Sequence, residues 1–295
     1  MSLLFFLCYN PNVIVDFHTH IFPPTVIRKR EQYLAADAEF AALYSHPTAR
    51  LVDAEELIDS MDTAEISMSI VCGFAWSSAA LCQENNDYIL SAISRYPHRL
   101  AGLVTVSTEN ASSALDELER CVRGGAIGLG EMRPSPDDLA DTIDSPWTPL
   151  VNFIVKNNLL CLLHASEPAG HLYPGKGTLT PSKLYPFITR FPALKIVLAH
   201  WGGGLPFYNL MPKVRKALSN TWFDSAASPF LYDPSVYKHV SQLVNPERIL
   251  FGSDYPLMPH SRALKDIDNL AISNTLKQSI LGGNAMKLLG KVHAK

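Results

Sequence analysis

The chain is 295 residues long, 47% hydrophobic and 18% charged, with a formal net charge of −3 at neutral pH. This balance suits a folded protein with a substantial core. No run of lysine and arginine marks a nucleic-acid or acidic-membrane footprint, and Arg28-Lys29-Arg30 reads as a solvated helix face. The five cysteines (Cys8, Cys72, Cys82, Cys121, Cys161) are scattered and show no Cys-x-x-Cys spacing. A disulfide framework is therefore not expected, and a reducing cytoplasm is the expected location. The opening apolar run at 3–7 is too short to span a bilayer and lacks a basic leader, so neither signal peptide nor anchor is expected.

In chain order, the apolar Val13-Ile14-Val15 begins a buried strand that runs into Asp16-Phe17-His18-Thr19-His20. Strict alternation along a strand places Asp16, His18 and His20 on one face. A polar, irregular segment with Pro23-Pro24 follows, with a short helix expected around 31–44. Residues 21–52 are too long for a simple connection and read as a lid or binding insert. Asp53 with Glu56 forms a capping box that opens a helix over 54–61, and a second strand is expected at 67–72.

From there helices and strands alternate. Helices are expected at 85–95, 111–123 (with Asn110 as cap), 149–156, 182–191, 207–218 and 235–243. They lead to strands at 100–106, 126–131, 159–163, 195–199, 221–224 and 248–252, and two helices near 261–271 and 275–289 close the chain. After the first interval the strands recur about every 25 to 36 residues, a spacing suited to successive β/α units. No composition shift marks a domain boundary. The expected architecture is an α/β fold, a single (β/α)8 barrel over 1–295 with a lid inserted after strand 1. A doubly wound open sheet is the competing fold, disfavoured because no glycine-rich phosphate loop follows strand 1.

In such a barrel the C-terminal strand ends converge on the active site. Strand 1 ends in His18 and His20, strand 4 in Glu131, strand 5 in His164, strand 6 in His200 and strand 8 in Asp254. Four of the ten histidines thus leave otherwise apolar strands at the same end. A single such histidine reads as a hydrogen-bonded barrel-mouth residue, but the set reads as ligands sharing one cation. Imidazole with carboxylate suits Zn²⁺, with Fe, Mn, Co or Ni as alternatives.

These motifs resemble the amidohydrolase superfamily, and more closely the branch that includes aminocarboxymuconate-semialdehyde decarboxylase and its metal-dependent hydrolase relatives. The matching pieces are Asp16-Phe17-His18-Thr19-His20, His164, Ala199-His200-Trp201-Gly202-Gly203, Gly252-Ser253-Asp254-Tyr255-Pro256 and Gly283-Asn284-Ala285, spread over nearly the whole chain. The resemblance implies that His18, His20, His164 and Asp254 hold one divalent metal, usually zinc, with a water completing the shell. It also implies His200 beside that water, a small-molecule substrate, and a homodimer. A zinc ion lowers the pKa of its water to about 7. Asp254 can take a proton as such a water attacks, and His200 can orient the water, stabilise an oxyanion or protonate a leaving group. Asp16 is expected inward beneath the histidines, either orienting an imidazole or bonded to barrel backbone.

Two positions depart from the relatives. The run 126–132 contains no lysine, which excludes a carbamate bridge there. It offers Glu131 instead, read as standing behind the ligands or contacting substrate, with a second metal as the alternative. Glu65 stands where relatives have glycine, which affects a turn. Trp76, Arg133, His171, Trp201 and Tyr255 lie just past strand ends. Arg50 falls in the segment where decarboxylase relatives bind a substrate carboxylate. Each reads as a substrate contact or, equally, as lid packing or surface charge. The first function expected is hydrolysis of a small ester, lactone or amide-like bond by metal-activated water. The alternative is non-oxidative decarboxylation of an aromatic or enoic acid at the same metal, with Asp254 or His200 protonating the carbon that loses CO₂. A catalytically silent, ligand-binding barrel is the third reading.

Overall fold

The computed structural model describes residues 13–139 and 145–293, so Cys8 and the apolar run at 3–7 lie outside the described residues. All eight expected strands form: β1 (Val15–His20), β2 (Met68–Cys72), β3 (Leu100–Val104), β4 (Gly128–Met132), β5 (Leu160–Leu163), β6 (Lys195–Leu198), β7 (Thr221–Asp224) and β8 (Ile249–Leu250). They are parallel and hydrogen-bonded in sequence order from β1 to β8. The ring is joined across the seam by backbone bonds from Phe17 N to Phe251 O (2.8 Å) and from His20 N to Tyr255 O (2.7 Å). The result is a (β/α)8 barrel. The doubly wound alternative requires a reversal of strand order, which is not present.

Period-two patterning builds two apolar layers. Phe17, Ile70, Cys72, Leu103, Leu160, Leu162, Val197, Trp222 and Leu250 fill the barrel interior. Val71, Val104, Cys161, Leu163, Ile196, Leu198 and Phe223 face the helices. Each fully buried leucine or phenylalanine contributes about 1.5–3 kcal/mol. Ala285, Met286, Leu288 and Leu289 of the C-terminal helix (Asn284–His293) join the interior cluster with Val13 and close the N-terminal end of the barrel. Polar chemistry is therefore left to the opposite end.

The insert after β1 departs from the single expected helix. It forms three short ones, α1 (Pro24–Arg28), α2 (Arg30–Ala36) and α3 (Ala38–Tyr44). The break falls at Asp37, whose extended backbone (φ −141°, ψ 118°) frees its carboxylate to cap α3 through Phe40 N. The other oxygen accepts from Ser77 N and Oγ, both at 2.8 Å, tying the insert to the loop after β2. Of the capping box expected in α4 (Ala54–Thr63), the Asp53 half forms, accepting from Glu56 N at 2.9 Å, while the Glu56 carboxylate pairs with Arg50; the expected cap at Asn110 accepts from Ser113 N at 3.0 Å. Glu65 sits in the left-handed region (φ 57°), the conformation that glycine adopts at no steric cost.

A continuous helix over 207–218 does not form. Backbone from His200 to Gly204 is left-handed (φ 55° to 90°), then a tight 3₁₀ run ends at Leu210 before the short helix Pro212–Ala217. Three glycines and two prolines in this stretch favour that path. At Gly203 a Cβ would lie 2.3 Å from the Ser166 carbonyl, so only glycine allows the β5 and β6 loops to approach. The expected helix at 275–289 forms as one continuous helical run from Asn274 to His293, with a wider turn over Ser279–Gly283. Cys72, Cys82, Cys121 and Cys161 are free and buried. No helix among the described residues is long and apolar enough to cross a membrane.

Candidate metal centre

His18, His20, Glu131, His164, His200 and Asp254 are all buried and gather at the C-terminal mouth of the barrel. Their atoms form two groups, each within 4.8 Å internally: His18, His20 and Asp254, and Glu131, His164 and His200. Glu131 lies between the groups. Its Oε2 is 3.7 Å from Nε2 of both His18 and His20, while Oε1 is 2.9 Å from His164 Nδ1 and 3.5 Å from His200 Nε2. Asp254 Oδ1 is 3.4 Å from His20 Nε2 and 3.7 Å from His18 Nε2. Of the four expected ligands, His18, His20 and Asp254 share one group, and His164 reaches it through Glu131.

Local backbone sets this geometry. The β1–β2 register is irregular between Asp16 and Thr19. Such a bulge breaks alternation, so Phe17 packs into the interior and His18 still reaches the pocket. The inward placement expected for Asp16 is thereby corrected. Its Oδ1 accepts from His18 N and Ser253 N, and its Oδ2 accepts from Ser253 Oγ (2.5 Å) and faces His260 Nε2 at 3.2 Å. Asp16 is thus a brace on the outer wall between β1 and the segment after β8. In β4, a Cβ on Gly130 (φ 149°) would fall 2.6 Å from Leu162 Cβ. The missing side chain lets β4 lie tightly on β5 while Glu131 enters the pocket.

Three imidazoles have their Nδ1 side committed. His18 Nδ1 pairs with Asp224 Oδ2 (2.9 Å), His20 Nδ1 donates to Gly73 O (3.3 Å), and His200 Nδ1 donates to Ala226 O (3.0 Å). Each Nε2 is left facing the pocket, the orientation that such outer partners impose on ligating histidines. The Nε2 atoms of His18 and His20 are 3.1 Å apart. Two lone pairs and two carboxylates so close together, out of water, require a proton or a cation between them.

The electrostatics agree. Burial works to lower the pKa of His18, but Asp224 and Glu131 outweigh it and raise the imidazole well above its ordinary value. Burial works to raise Glu131, yet the charge of His18 and the hydrogen bond from His164 Nδ1 hold it well below the usual carboxylate range. Asp254 is likewise held low against burial, by the hydrogen bond from His20 and the charges of His18 and His200. Burial and the nearby Arg133 push His164 down to about 3, despite Glu131, so its ring is neutral. The residues fit a divalent cation: nitrogen and carboxylate oxygen donors, deprotonated carboxylates, and oriented rings.

Other expected contacts scatter. Arg133 Nη1 lies 3.3 Å from His164 Nδ1, and its Nη2 donates to Gly175 O at 2.8 Å, at the edge of the pocket. Arg50 pairs with Glu56 and covers the Tyr255 ring, 5.5 Å from its centroid. Tyr255 stacks on His260 at 4.5 Å. Trp76 is buried in an aromatic cluster with Phe40 and Phe74, its Nε1 donating to Asn85 Oδ1 at 3.1 Å. Trp201 turns into the wall, where its Nε1 donates to Ser228 Oγ at 2.9 Å. His171 is exposed on the loop after β5, its ring against Tyr173.

Three functional neighbours were not anticipated. Asp224 ends β7 as the other acids end theirs, so position alone could have found it. Besides His18 it accepts from His200 N (3.1 Å) and Ala226 N (3.0 Å). Ser166 Oγ lies 3.1 Å from His164 Nε2 and accepts from Gly177 N, a pairing with no sequence signal. Tyr44 of α3 packs on Phe40 and Phe22, and burial together with the Asp254 charge pushes its phenol up.

A family model described as amidohydrolase matches residues 15–291. The chain belongs to the amidohydrolase family. This amidohydrolase is 24% identical to 2-amino-3-carboxymuconate-6-semialdehyde decarboxylase of Dictyostelium discoideum, over 94% of this chain and 91% of that one. In fold it is similar to 5-carboxyvanillate decarboxylase from Sphingomonas paucimobilis (TM-score 0.78, 20% identity, 94% of this chain and 98% of that one). It is also similar to a dihydroxybenzoic acid decarboxylase from Polaromonas, solved with manganese and 2-nitroresorcinol (TM-score 0.72, 19% identity, 95% and 97% covered). These relatives are decarboxylases, which overturns the expectation that put hydrolysis first. The expected ligand set would serve both reactions equally, so strand-end spacing carried no information about which bond breaks.

Proposed function

We propose that this amidohydrolase is a metal-dependent, non-oxidative decarboxylase acting on a small aromatic or enoic carboxylic acid. The observation that carries the reading is the buried group of His18, His20 and Asp254 facing Glu131, His164 and His200, in a chain similar along 94% of its length to a decarboxylase. In the proposal His18, His20, His164 and Asp254 hold one divalent cation. Zinc suits the donors, and the manganese in the Polaromonas structure supports manganese equally. Bound there, the cation supplies Lewis-acid polarisation of substrate oxygens.

The remaining work falls to side chains. Decarboxylation breaks a C–C bond, releases CO₂ and leaves a carbon that must gain a proton. The hydrogen bond to Glu131 and the charges of Asp254 and Glu131 overcome burial and raise the pKa of His200, so it can carry that proton on the Nε2 that faces the pocket. Asp254, held as a carboxylate, is the group through which a proton is relayed back to His200. Glu131 aligns His164 and His200, or touches substrate. Arg133 at the pocket edge, and Arg50 beside Tyr255, are the cations that would receive a second anionic group of the substrate. Residues 21–52, which carry Tyr44 towards the pocket, act as the cover that excludes water from it.

The test is CO₂ release by purified protein loaded with manganese or zinc, over a panel of hydroxylated benzoates and enoic acids that includes 2,6-dihydroxybenzoate and 5-carboxyvanillate. Cation-dependent CO₂ release from a panel member, lost in Asp254→Asn, is the expected result. Turnover of esters or lactones with no CO₂ from any acid would overturn the proposal.

A further inference from the structure

Two segments flank the mouth of the metal pocket, and they are held in different ways. The insert after β1 is fastened to the rest of the barrel. Its Asp37 accepts from Ser77, and Glu84 of the helix Ala79–Arg95 accepts from Thr25 Oγ1 (2.8 Å) and Tyr33 Oη (2.7 Å). Phe22, Val26 and Phe40 of the insert are buried with Phe74 and Trp76. Lifting the insert would expose that cluster and break these bonds together, so its local opening is costly.

The loop 167–178 after β5 is bonded mainly to itself. Its ends meet where Ser166 N donates to Leu179 O at 2.8 Å, the closed neck of an Ω-loop. Inside it, Tyr173 Oη is shared by the two oxygens of Glu167, and Lys176 Nζ donates to the carbonyls of Ala169 (3.0 Å) and His171 (3.1 Å). Residues 168–172 are exposed, and Leu172 keeps 90% of its surface in water. The returning half nevertheless sits against the metal centre. A Cβ on Gly177 would lie 3.2 Å from His164 Cδ2, and Gly177 N donates to Ser166 Oγ, itself 3.1 Å from His164 Nε2. Gly175 (φ 90°) meets the insert, where a Cβ would fall 2.6 Å from Leu43 Cδ2. Its carbonyl accepts from Arg133 Nη2 at 2.8 Å. Residues 175–177 thus bridge from the His164 ring to the insert.

We propose that loop 167–178 is the moving gate of the metal pocket, with the insert as its fixed rim and the bond from Arg133 to Gly175 as its latch. Because most of its bonds are internal, the loop lifts as a unit. Lifting breaks the latch and the Leu43 contact, and it uncovers the edge of His164. Closed, the gate keeps water from the pocket; open, it passes substrate and product. The traffic assigned to it rests on the metal-dependent decarboxylase reading, whereas the motion itself does not.

The test is hydrogen exchange read by mass spectrometry on the full chain, with and without manganese, paired with the rate at which bound manganese passes to excess EDTA. Amides of 167–178 should exchange roughly tenfold or more faster than those of 22–44. Gly175→Ala strains the seated backbone and crowds Leu43 without altering a pocket side chain. It should raise loop exchange and manganese release each by roughly tenfold, with the manganese Kd and exchange over 22–44 unchanged. Arg133→Met, which removes the latch, should raise exchange over the same loop by roughly tenfold. An insert that exchanges as fast as the loop, loop exchange unchanged in both variants, or faster loop exchange in Gly175→Ala with no change in manganese release would overturn the proposal. A protein that held no manganese would instead sink the metal reading, and exchange in the two variants would then decide the gate alone: a rise confined to the loop upholds it, and no rise overturns it.

Discussion

The seam where β8 meets β1 has two sides, and a buried aspartate serves each. On the pocket side Asp224 pairs with His18 Nδ1 at 2.9 Å and accepts from the backbone of His200 and Ala226. On the wall side Asp16, two residues before His18, holds Ser253 and faces His260. Both are fully buried. One sets the direction of a pocket imidazole, and the other fastens two chain segments together. Burial and residue type do not separate these roles; facing does, since regular alternation in β7 turns Asp224 to the pocket with Trp222, while the bulge in β1 turns His18 inward and leaves Asp16 on the wall.

The comparison can be broken by substitution, starting with the acid that sits in the pocket itself. Asp254→Asn is expected to lower turnover about 10²–10⁴-fold, the usual worth of a positioned acid–base group, and to weaken cation binding; steady-state CO₂ release and metal titration read the two effects. Asp224→Asn keeps an oxygen for the His200 and Ala226 amides but cannot accept from His18. Cation affinity should fall about 10–100-fold, as for other outer partners of ligating histidines, measured by competition with a chromophoric chelator. Asp16→Asn should leave cation affinity nearly unchanged while costing about 1–3 kcal/mol of stability, read from denaturant melts. If Asp16→Asn moved metal affinity as far as Asp224→Asn, the division between pocket and wall would fail. Glu56→Gln removes only the half-exposed pair with Arg50 and should change stability by about 0–1 kcal/mol.

Much of the barrel was legible because its strands are short apolar runs at even spacing, and Leu159–Leu163 followed by His164 shows how plainly a core strand hands over to a polar mouth. What sequence could not show is where regularity fails. Strict alternation put Asp16 beside His18, and only the register irregularity separates them. A helical reading of 207–218 overlooked the left-handed path that Trp201 to Gly204 imposes upstream. Asp37 reads as a mid-helix residue, yet it caps α3 and holds Ser77 across the insert. Within the site, the histidines and Asp254 stood out against apolar strands. The central position of Glu131 did not, because it depends on how closely Gly130 lets β4 approach β5.

The most direct measurement is the divalent-metal content of the purified protein by mass spectrometry, paired with anomalous scattering from its crystals. One tightly held ion per chain, seated among the Nε2 atoms of His18 and His20 and the carboxylate of Asp254, and absent from His18→Ala, is the predicted result. Protein that takes up no stoichiometric ion from manganese or zinc, or an ion bound away from these three side chains, would contradict the account.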